Sequence, residues 1–377
     1  MSLAELTPVP KKVAVLGAGS WGTTFAKILA DGGSQVSVWA RRPELAREIS
    51  QSKRNSDYLP GINLPRSIWA SSNIPEVLDG VEQVYFSVPS QSLRENLAIV
   101  RDLIPADVLI VSLMKGVEKG TRMRMSEVIY QELRVDPARV AVASGPNLAL
   151  EIAKEQPTAA VISSESLDTA TTIAMTATNP YFRSYVNTDV VGTEFGGVLK
   201  NLIAVAIGIV DGVGYGENTK ASIITRGLAE MTDFAVAYGG RAETLAGLAG
   251  LGDLIATSSS SLSRNNTAGR LLGQGYSFAD VVKSMQQTAE GLASVAPILE
   301  LAAAKGVDMP IVKQVSEVLA GTLNPRDIAP HLTTDSDEPQ GERTIDGRKN
   351  SGGSAFWGSF KRALHQLRDG GRGSSRD

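Results

Sequence analysis

Lys200 and Asn201 are the residues whose setting most strongly predicts chemistry. They lie in the run Phe195–Ile207, which is apolar on nearly every face and therefore predicts a helix buried by its neighbours. A buried ammonium group is costly unless it is paired or used. Exposure of the amine at the surface and a structural ion pair are the alternatives. Because desolvation or a neighbouring cation lowers the pKa of a lysine, we favour a role in proton exchange.

Other residue types that commonly carry chemistry are scarce in this chain. Cysteine is absent, which excludes disulfides, thiolate nucleophiles and cysteine-based metal sites. The two histidines, His331 and His365, both lie in the polar C-terminal region. A histidine-centred catalytic pair in the core is therefore excluded, and another residue type must move protons.

Lys115 and the motif Ser-Gly-Pro-Asn at residues 144–147 each follow an apolar run that predicts a strand. Ligands bind beyond the carboxyl ends of the strands in an open parallel sheet. Lys115 fits such a site and a solvated loop charge equally well. Gly145 would bring backbone close to a ligand beside Asn147, and Pro146 would fit the first turn of a helix. An ordinary helix-starting loop explains this motif equally well.

Asp253 ends a glycine-rich run at residues 247–253. The glycines permit a bend or a close helix contact, and the carboxylate of Asp253 would orient an amine or accept its charge. The alternative is a helix N-cap.

A serine-rich loop at residues 258–266 carries Ser263, Arg264 and Asn265 near its end. A guanidinium flanked by hydroxyl and amide donors suits a phosphate monoester. Serine-rich loops are more often merely flexible, so this run alone favours the plain interpretation.

The stretch Lys11–Trp39 predicts the unit that would hold a cofactor. An apolar run, the motif Gly-x-Gly-x-x-Gly at residues 17–22, a helical pattern and a second apolar run follow one another, as in a dinucleotide-binding βαβ unit. Gly17 makes the tight turn, Gly19 lets backbone approach a pyrophosphate, and Gly22 allows close helix packing. The flanking elements favour a nucleotide site over a purely structural turn.

Arg41 and Arg42 follow the second apolar run, where an NAD site usually has an acid for the ribose 2′-hydroxyl. Two arginines indicate tolerance of, or preference for, the 2′-phosphate of NADP. A basic surface turn is the alternative, since Glu44 lies just beyond.

These residues require elements that bring them together, and the apolar pattern supplies them. Short runs alternate with helical segments, which predicts a mostly parallel sheet wrapped by helices; the runs lie at 81–88, 108–113, 140–143, 159–163 and 182–186. From about Asp189 long helical patterns replace them, at 194–211, 219–238, 292–305 and 310–320. We therefore predict an α/β fold with a Rossmann-like dinucleotide-binding domain at 1–190 and an all-helical C-terminal domain at 191–329.

Composition limits the class of protein. The 377 residues are 42% hydrophobic and 20% charged with a net charge of −3, which predicts a soluble globular protein and argues against nucleic-acid binding. The N-terminus shows no secretory signal, and the apolar segment 198–213 is short for a membrane span. We expect a cytoplasmic protein without an integral membrane segment.

Residues 330–377 are polar and glycine-rich, which predicts a disordered tail. Phe356, Trp357, Phe360, Leu364 and Leu367 would form one face of a short basic amphipathic helix there. That helix would dock on a membrane surface or a partner. A transient helix without function is the interpretation that we favour.

The ordered set of motifs resembles the NAD(P)-dependent glycerol-3-phosphate dehydrogenase family of soluble enzymes, from about Lys11 to Ala329. Eight motifs in the same order carry the resemblance: Gly17–Gly22, Val88–Ser90, Lys115–Glu118, Ser144–Asn147, Gly197–Asn201, Gly247–Asp253, Ser263–Asn265 and Ala289–Gly291.

The resemblance implies roles for individual residues. Lys200 would be the general acid/base at C2 of the substrate, with Lys115 and Asp253 completing the polar centre. Residues implied around the substrate are Lys115, Gly145, Asn147, Lys200, Asn201, Asp253, Ser263, Arg264 and Asn265. Residues implied around the cofactor are Gly17, Gly19, Ser20, Trp21, Gly22, Arg41, Arg42, Lys115, Arg264 and Glu290.

The implied reaction is reversible hydride transfer between glycerol 3-phosphate and NAD(P), with dihydroxyacetone phosphate as the keto partner and no metal. A homodimer is also implied. From Arg41 and Arg42 we expect NADP to be preferred and NAD to be accepted, and NADPH as the reducing partner predicts a supply of glycerol 3-phosphate for phospholipids. Two alternatives stay open: a related hydroxy-acid dehydrogenase, and a non-catalytic dinucleotide sensor.

Overall fold

The computed structural model describes residues 11–285 and 290–328, with side chains in the second range from residue 291. The predicted tail at 330–377, with its short helix, lies outside the described residues.

The first part of the chain alternates strands and helices. The strands are β1 (Lys12–Leu16), β2 (Gln35–Trp39), β3 (Ile68–Ser71), β4 (Gln83–Phe86), β5 (Leu109–Ser112), β6 (Val140–Ser144), β7 (Thr158–Ser164) and β8 (Phe182–Asn187). The helices are α1 (Ser20–Asp31), α2 (Pro43–Arg47), α3 (Ile74–Leu78), α4 (Leu93–Val100), α5 (Met125–Leu133), α6 (Ala149–Ala153) and α7 (Leu167–Thr176).

The strands form one sheet in the order β3-β2-β1-β4-β5-β6-β7-β8. The first six strands are parallel and follow the Rossmann order. The order in which successive strands are added to the sheet reverses between β1 and β4, which is the topological switch point. Strand β7 runs antiparallel to β6, and β8 is parallel to β7. Apolar side chains on both faces of the sheet pack under the helices in two buried clusters. The predicted α/β class is confirmed.

After β8 the described chain is helical. Its helices are α8 (Val190–Val213), α9 (Glu217–Ala237), α10 (Ala242–Ala246), α11 (Asp253–Ser259), α12 (Arg264–Gly273), α13 (Phe278–Ser284), α14 (Glu290–Lys305) and α15 (Pro310–Ala320). A π-helical turn, Leu248–Gly252, leads directly into α11.

Helix α8 is the centre of this second part. The Asp189 carboxylate caps its N-terminus by accepting from Gly192 N at 2.8 Å, and left-handed Gly214 ends it. By length and composition α8 is the one helix among the described residues that could cross a membrane, yet 83% of its most apolar window is buried inside the protein. It is therefore a core helix, as its all-round apolar sequence indicates.

Candidate active site

The glycine turn between β1 and α1 has the geometry of a close backbone approach. Gly17 has φ +121°, and a Cβ there would lie 2.3 Å from the Ser87 carbonyl oxygen. A Cβ on Gly22 would lie 2.0 Å from the Gly17 oxygen, so both positions require glycine. A Cβ on Gly19 would meet no atom within 4 Å, which leaves the backbone before α1 open to a ligand. Helix N-termini of this kind bind phosphate groups.

Ser20 and Trp21 begin α1 and are held from both sides. The Ser20 hydroxyl donates to the Tyr58 carbonyl at 2.7 Å. Trp21 packs edge-on against Phe25, with ring centroids 5.4 Å apart. Both residues lie at the turn, as the sequence predicts, but much of the Trp21 ring packs on the protein core.

Asn55 braces the same turn, and sequence reasoning missed it. Its buried side-chain amide donates to the Ala18 carbonyl at 2.9 Å and to Thr23 Oγ1 at 2.8 Å. Ala18 lies between the first two glycines of the motif, so Asn55 fixes the backbone that faces the ligand.

Arg41 and Arg42 follow β2 but differ in their contacts. Arg42 pairs with Asp57 at 2.6 Å and lies over the Tyr58 ring, 5.8 Å from its centroid. Arg41 is exposed and has no hydrogen bond or ion pair with another described residue. The structure therefore provides one available guanidinium and one shared with a carboxylate.

A second group of residues converges between the sheet and α8. Asp253 Oδ2 accepts from Lys115 Nζ at 2.5 Å, and Asp253 Oδ1 lies 2.9 Å from Lys200 Nζ. Lys200 also donates to Thr257 Oγ1 at 2.5 Å, and that hydroxyl donates to Asp253 Oδ1 at 3.2 Å. The three side chains predicted to form the polar centre thus lie in direct contact.

Each member of this centre comes from a different element. Lys115 follows the carboxyl end of β5, Lys200 lies midway along α8, and Asp253 is the first residue of α11. Gly252, not Asp253, is the N-cap of α11, so the carboxylate does not cap the helix and serves the two lysines instead. A Cβ on Gly197 would lie 3.3 Å from Lys115 Cγ, so this glycine makes room for the lysine stem.

Burial and charge set the protonation of the centre. Side-chain exposure is 16% for Lys115, 8% for Lys200 and 2% for Asp253. Burial lowers the pKa of Lys200 to about 8, with the charges of Lys115 and Arg264 acting in the same direction against Asp253. Burial opposes ionisation of Asp253, but the two neighbouring ammonium groups hold the pKa of its carboxyl below the usual value.

Polar atoms without hydrogen-bond partners lie beside this centre. They are Ser144 Oγ and both side-chain polar atoms of Asn147. Gly145 has φ +133°, and its carbonyl oxygen accepts from Lys115 Nζ at 3.1 Å. Buried polar atoms are normally satisfied, so this set fits a polar ligand. Helix α6 begins only at Ala149, so the prediction that Pro146 starts a helix is wrong.

Asn201 lies next to Lys200 on α8, but its amide nitrogen donates back to the Gly197 carbonyl at 3.2 Å. The side chain is buried, at 6% exposure of the residue. Asn201 therefore lies near the predicted substrate site because it is adjacent to Lys200 on α8. Its amide nitrogen, however, makes a hydrogen bond within the helix itself.

Ser263, Arg264 and Asn265 lie at the start of α12. Ser263 caps the helix by accepting from Asn266 N at 3.2 Å, and Asn265 Oδ1 accepts from Gly291 N at 3.1 Å. Arg264 is exposed and close enough to Lys200 to lower its pKa. The predicted serine-rich loop is partly wrong, because α11 continues through Ser259. The side chain of Glu290 lies outside the described part of the protein.

Thr257 is a second residue that sequence reasoning missed. It lies one turn after Asp253 on α11, so its hydroxyl reaches the same face as the carboxylate. The spacing from Asp253 offered a signal, but many threonines have such a neighbour.

The fold and the two sites together define a class. A glycine turn at the switch point of a mostly parallel sheet, together with a buried lysine–carboxylate centre that joins a sheet loop to the helical part, is the arrangement of a two-domain NAD(P)-dependent dehydrogenase.

Comparison with known proteins identifies the family. The protein-family model described as NAD-dependent glycerol-3-phosphate dehydrogenase N-terminus matches residues 12–170. The family model for the C-terminus of the same enzymes matches residues 189–330. The chain belongs to the NAD-dependent glycerol-3-phosphate dehydrogenase family.

Individual relatives agree with this assignment. A glycerol-3-phosphate dehydrogenase (NAD(P)+) of Leifsonia xyli is 73% identical over 369 residues, covering 96% of this chain and 100% of the relative. One of Corynebacterium glutamicum is 53% identical, covering 80% and 92%. The crystal structure of glycerol-3-phosphate dehydrogenase from Coxiella burnetii is 36% identical, with a TM-score of 0.82, and the match covers 86% of this chain and 99% of that one.

Proposed function

We propose that this chain interconverts sn-glycerol 3-phosphate and dihydroxyacetone phosphate with NAD(P), and that Lys200 exchanges the proton. The observation that carries the proposal is the Asp253 carboxylate held between Lys115 and Lys200. The relatives named above are NAD(P)-dependent enzymes of this activity.

The cofactor has a place in this arrangement. The open backbone at Gly19, beside the first turn of α1, fits a pyrophosphate, and the cofactor supplies or accepts the hydride when it is bound. The glycine turn and the lysine–carboxylate centre both lie at the carboxyl edge of the parallel strands, on β1 and β5.

The side chains of the centre divide the remaining work. In the reducing direction Lys200, as an ammonium group, donates a proton to the C2 oxygen of the substrate. Lys115 lowers the energy of negative charge on that oxygen. Asp253 and the Thr257 hydroxyl orient the Lys200 amine, because each lies within hydrogen-bond distance of the amine and the two also bind each other.

The phosphate group would lie at the start of α12. Arg264 is an exposed guanidinium there, and Asn265 and Ser263 flank it. The positive charge and the helix N-terminus both favour a phosphate dianion. The polar atoms of Asn147 and Ser144 are available to the substrate hydroxyl groups.

The test follows NADPH absorbance with dihydroxyacetone phosphate. Wild type should oxidise NADPH, and Lys200→Ala should lose about a hundredfold to ten-thousandfold in kcat, the range for general acid–base catalysis. Lys220→Ala is the control, since Lys220 pairs with Asp211 and Glu217 on the helical part. Turnover of a 2-keto acid instead would favour the hydroxy-acid alternative. Cofactor binding without turnover would favour the sensor.

We also propose that NADP is preferred over NAD. The support is Arg41, which is exposed next to Arg42 at the end of β2. Replacing both arginines by alanine should raise the KM for NADPH about tenfold or more and leave that for NADH unchanged, because only NADP carries the 2′-phosphate. Equal ratios of the two rates before and after the change would contradict the preference.

The same proposal includes a cytoplasmic homodimer that supplies glycerol 3-phosphate for phospholipid synthesis. Sedimentation of the purified chain measures the number of subunits. Depletion of the protein in cells should lower the glycerol 3-phosphate pool if the reducing direction operates.

A further inference from the structure

Glu194 is a buried carboxylate on α8 that the lysine–carboxylate centre does not include. Its side chain is 4% exposed, and it lies six residues before Lys200 on the same helix. An α-helix rises 1.5 Å per residue, so Glu194 is about 9 Å along the axis from Lys200. Three hydrogen-bond donors contact this carboxylate, so its charge is compensated although it is buried.

The donors all come from the sheet part of the molecule. Arg124 Nη1 lies 2.7 Å from Glu194 Oε2, Ser126 N donates to Oε1 at 2.9 Å, and Ser126 Oγ donates to Oε2 at 2.6 Å. Ser126 lies in the first turn of α5, and Arg124 is the residue before that helix. Glu194 therefore binds the N-terminus of α5 from another element, where the helix dipole favours an anion.

The segment that ends at this contact begins at the reaction centre. Residues 113–124 connect β5 to α5, with Lys115 near their start and Arg124 at their end. Val117, in the same segment, is fully buried in the core cluster of the helical part. Gly197 lies one turn from Glu194, on the face of α8 against which the Lys115 stem packs. The segment is thus attached to α8 at both ends.

We propose that Glu194 is a positioning residue for the reaction. By binding Arg124 and Ser126 it holds the segment that carries Lys115 in a fixed place along the helix that carries Lys200. Since the two ammonium groups share the one carboxylate of Asp253, a shift of the segment along α8 would separate them. This inference rests on the proposed function, in which both lysines act on one substrate oxygen.

Two controls separate positioning from general stability. Glu230 also carries a buried carboxyl group, and it accepts from Ile311 N and Val312 N at the N-terminus of α15, which carries no site residue. Glu230→Ala matches Glu194→Ala in burial and in the loss of a helix-end acceptor. Glu300 pairs with Arg122 of the same segment at 3.3 Å, but its side chain is 59% exposed. Glu300→Ala thus removes an exposed link between the same two parts.

The experiment measures kcat, KM and the melting temperature of these variants with NADPH and dihydroxyacetone phosphate. Glu194→Ala should lower kcat about a hundredfold at temperatures well below its melting point, as a misplacement of about 1 Å does. Its dissociation constant for NADPH should stay unchanged. Glu230→Ala should melt earlier with kcat unchanged, and Glu300→Ala should change neither. Glu194→Gln, which keeps one acceptor, should recover part of the lost kcat.

A double-mutant cycle with Lys115→Ala completes the test. If Glu194 acts through the placement of Lys115, its replacement should cost at most about threefold in kcat once Lys115 is gone. A Glu194→Ala enzyme that behaves like Glu230→Ala, or a strictly additive cycle, would overturn this inference while leaving the proposed function intact. A folded wild type that does not reduce dihydroxyacetone phosphate would overturn both.

Discussion

Asp253 determines the charge of the lysine–carboxylate centre, because it is one carboxylate between two ammonium groups. Lys115 and Lys200 bind different oxygens of it, so with all three groups ionised the centre carries one net positive charge. That excess suits an anionic substrate and an oxygen that becomes negative during reduction. The same arrangement accounts for a Lys200 pKa of about 8: burial lowers it, and the single carboxylate that opposes this is shared with Lys115.

The pH dependence follows from the pKa of Lys200 at about 8. Below that pH the amine is protonated and can donate, so kcat/KM for reduction should be level and then fall about tenfold per unit above pH 8. In the oxidising direction the neutral amine is the base, so the rate should rise to about pH 8 and then level. Initial rates in both directions from pH 6 to 10 measure this.

The neighbours of Lys200 provide the control for that profile. The Lys115 charge is one of the causes that lower the pKa of Lys200. Lys115→Ala should therefore move the basic limb of the profile, where kcat/KM for reduction falls, to higher pH, whatever it does to the maximal rate. Lys220→Ala, outside the centre, should leave the limb in place. A limb that is the same in wild type and in Lys115→Ala would assign the titration to another group.

Sequence reasoning reached the lysines and Asp253, and the family resemblance grouped them, but no local pattern in the sequence placed them in contact or pointed to Thr257. A lysine within an apolar helical run and a lysine directly after a predicted strand can both be recognised from the sequence alone. The contact between Lys115 and Asp253 joins residues 138 positions apart, and the one between Lys200 and Thr257 spans 57. Such pairs depend on how helices pack, which no local pattern specifies. For the same reason Asp57, the partner of Arg42, was not foreseen.

Helices α8 and α12 bring the lysine centre and the residues proposed to bind the phosphate together, and glycine makes the close approach of the two helices possible. A Cβ on Gly208 would lie 2.2 Å from the Asn266 oxygen, and one on Gly269 would lie 2.1 Å from the Val205 oxygen. Gly212 and Gly273 repeat the contact one turn further. The two backbones touch directly, so the position of α12 along α8 is fixed by contacts that leave no room for a side chain.

Gly269→Ala tests whether the close contact between α8 and α12 matters. The added methyl group must push α12 away from α8, because a carbonyl oxygen cannot move aside alone. We expect a loss of about 1–3 kcal/mol in stability and a higher KM for dihydroxyacetone phosphate, since Arg264 and Asn265 begin the same helix. Gly216→Ala is the control, because a Cβ there meets no atom within 4 Å. Equal KM values in both variants would show that α12 tolerates the shift.

The elements that the sequence predicts well are those with a strong apolar pattern. The predicted runs at 108–113 and 182–186 overlap β5 and β8 closely, and 310–320 matches α15. Strand β3 was missed, because Ile68–Ser71 has four residues and lies among polar and small ones. It forms nonetheless by pairing with β2 at the edge of the sheet. Helix α11 continues into the serine-rich run since serine is only weakly unfavourable in a helix.

At the scale of the whole molecule, the sheet and the helical part meet around α8. Asp189 caps this helix two residues after β8 ends, and its other oxygen accepts from Arg241 N at 2.8 Å. The change of pattern near Asp189 predicted where strands give way to helices. The exact division into 1–190 and 191–329 stays a prediction, since contacts such as that of Val117 cross between the two parts.

Glu230 gives the fold of the whole molecule a dependence on pH. Burial raises the pKa of its carboxyl to about 8 against the two backbone N–H groups of Ile311 and Val312, which favour the charged form. The unfolded chain would release this proton near its usual value of 4.5. Between these values the folded state binds more protons, so the contribution of Glu230 to stability is full below pH 4.5 and is lost as pH rises to about 8.

Comparison of wild type with Glu230→Gln isolates that contribution, because glutamine keeps the shape and one acceptor but does not titrate. From pH 5.5 to 8 the stability of wild type should fall relative to the variant by up to about 1.4 kcal/mol per pH unit, since folding takes up one proton at Glu230. Above pH 8 the difference should become constant. Urea unfolding at half-unit intervals measures both curves, and all other titrating groups cancel in their difference. Parallel curves across this range would mean that Glu230 ionises in the folded protein as it does in the unfolded chain.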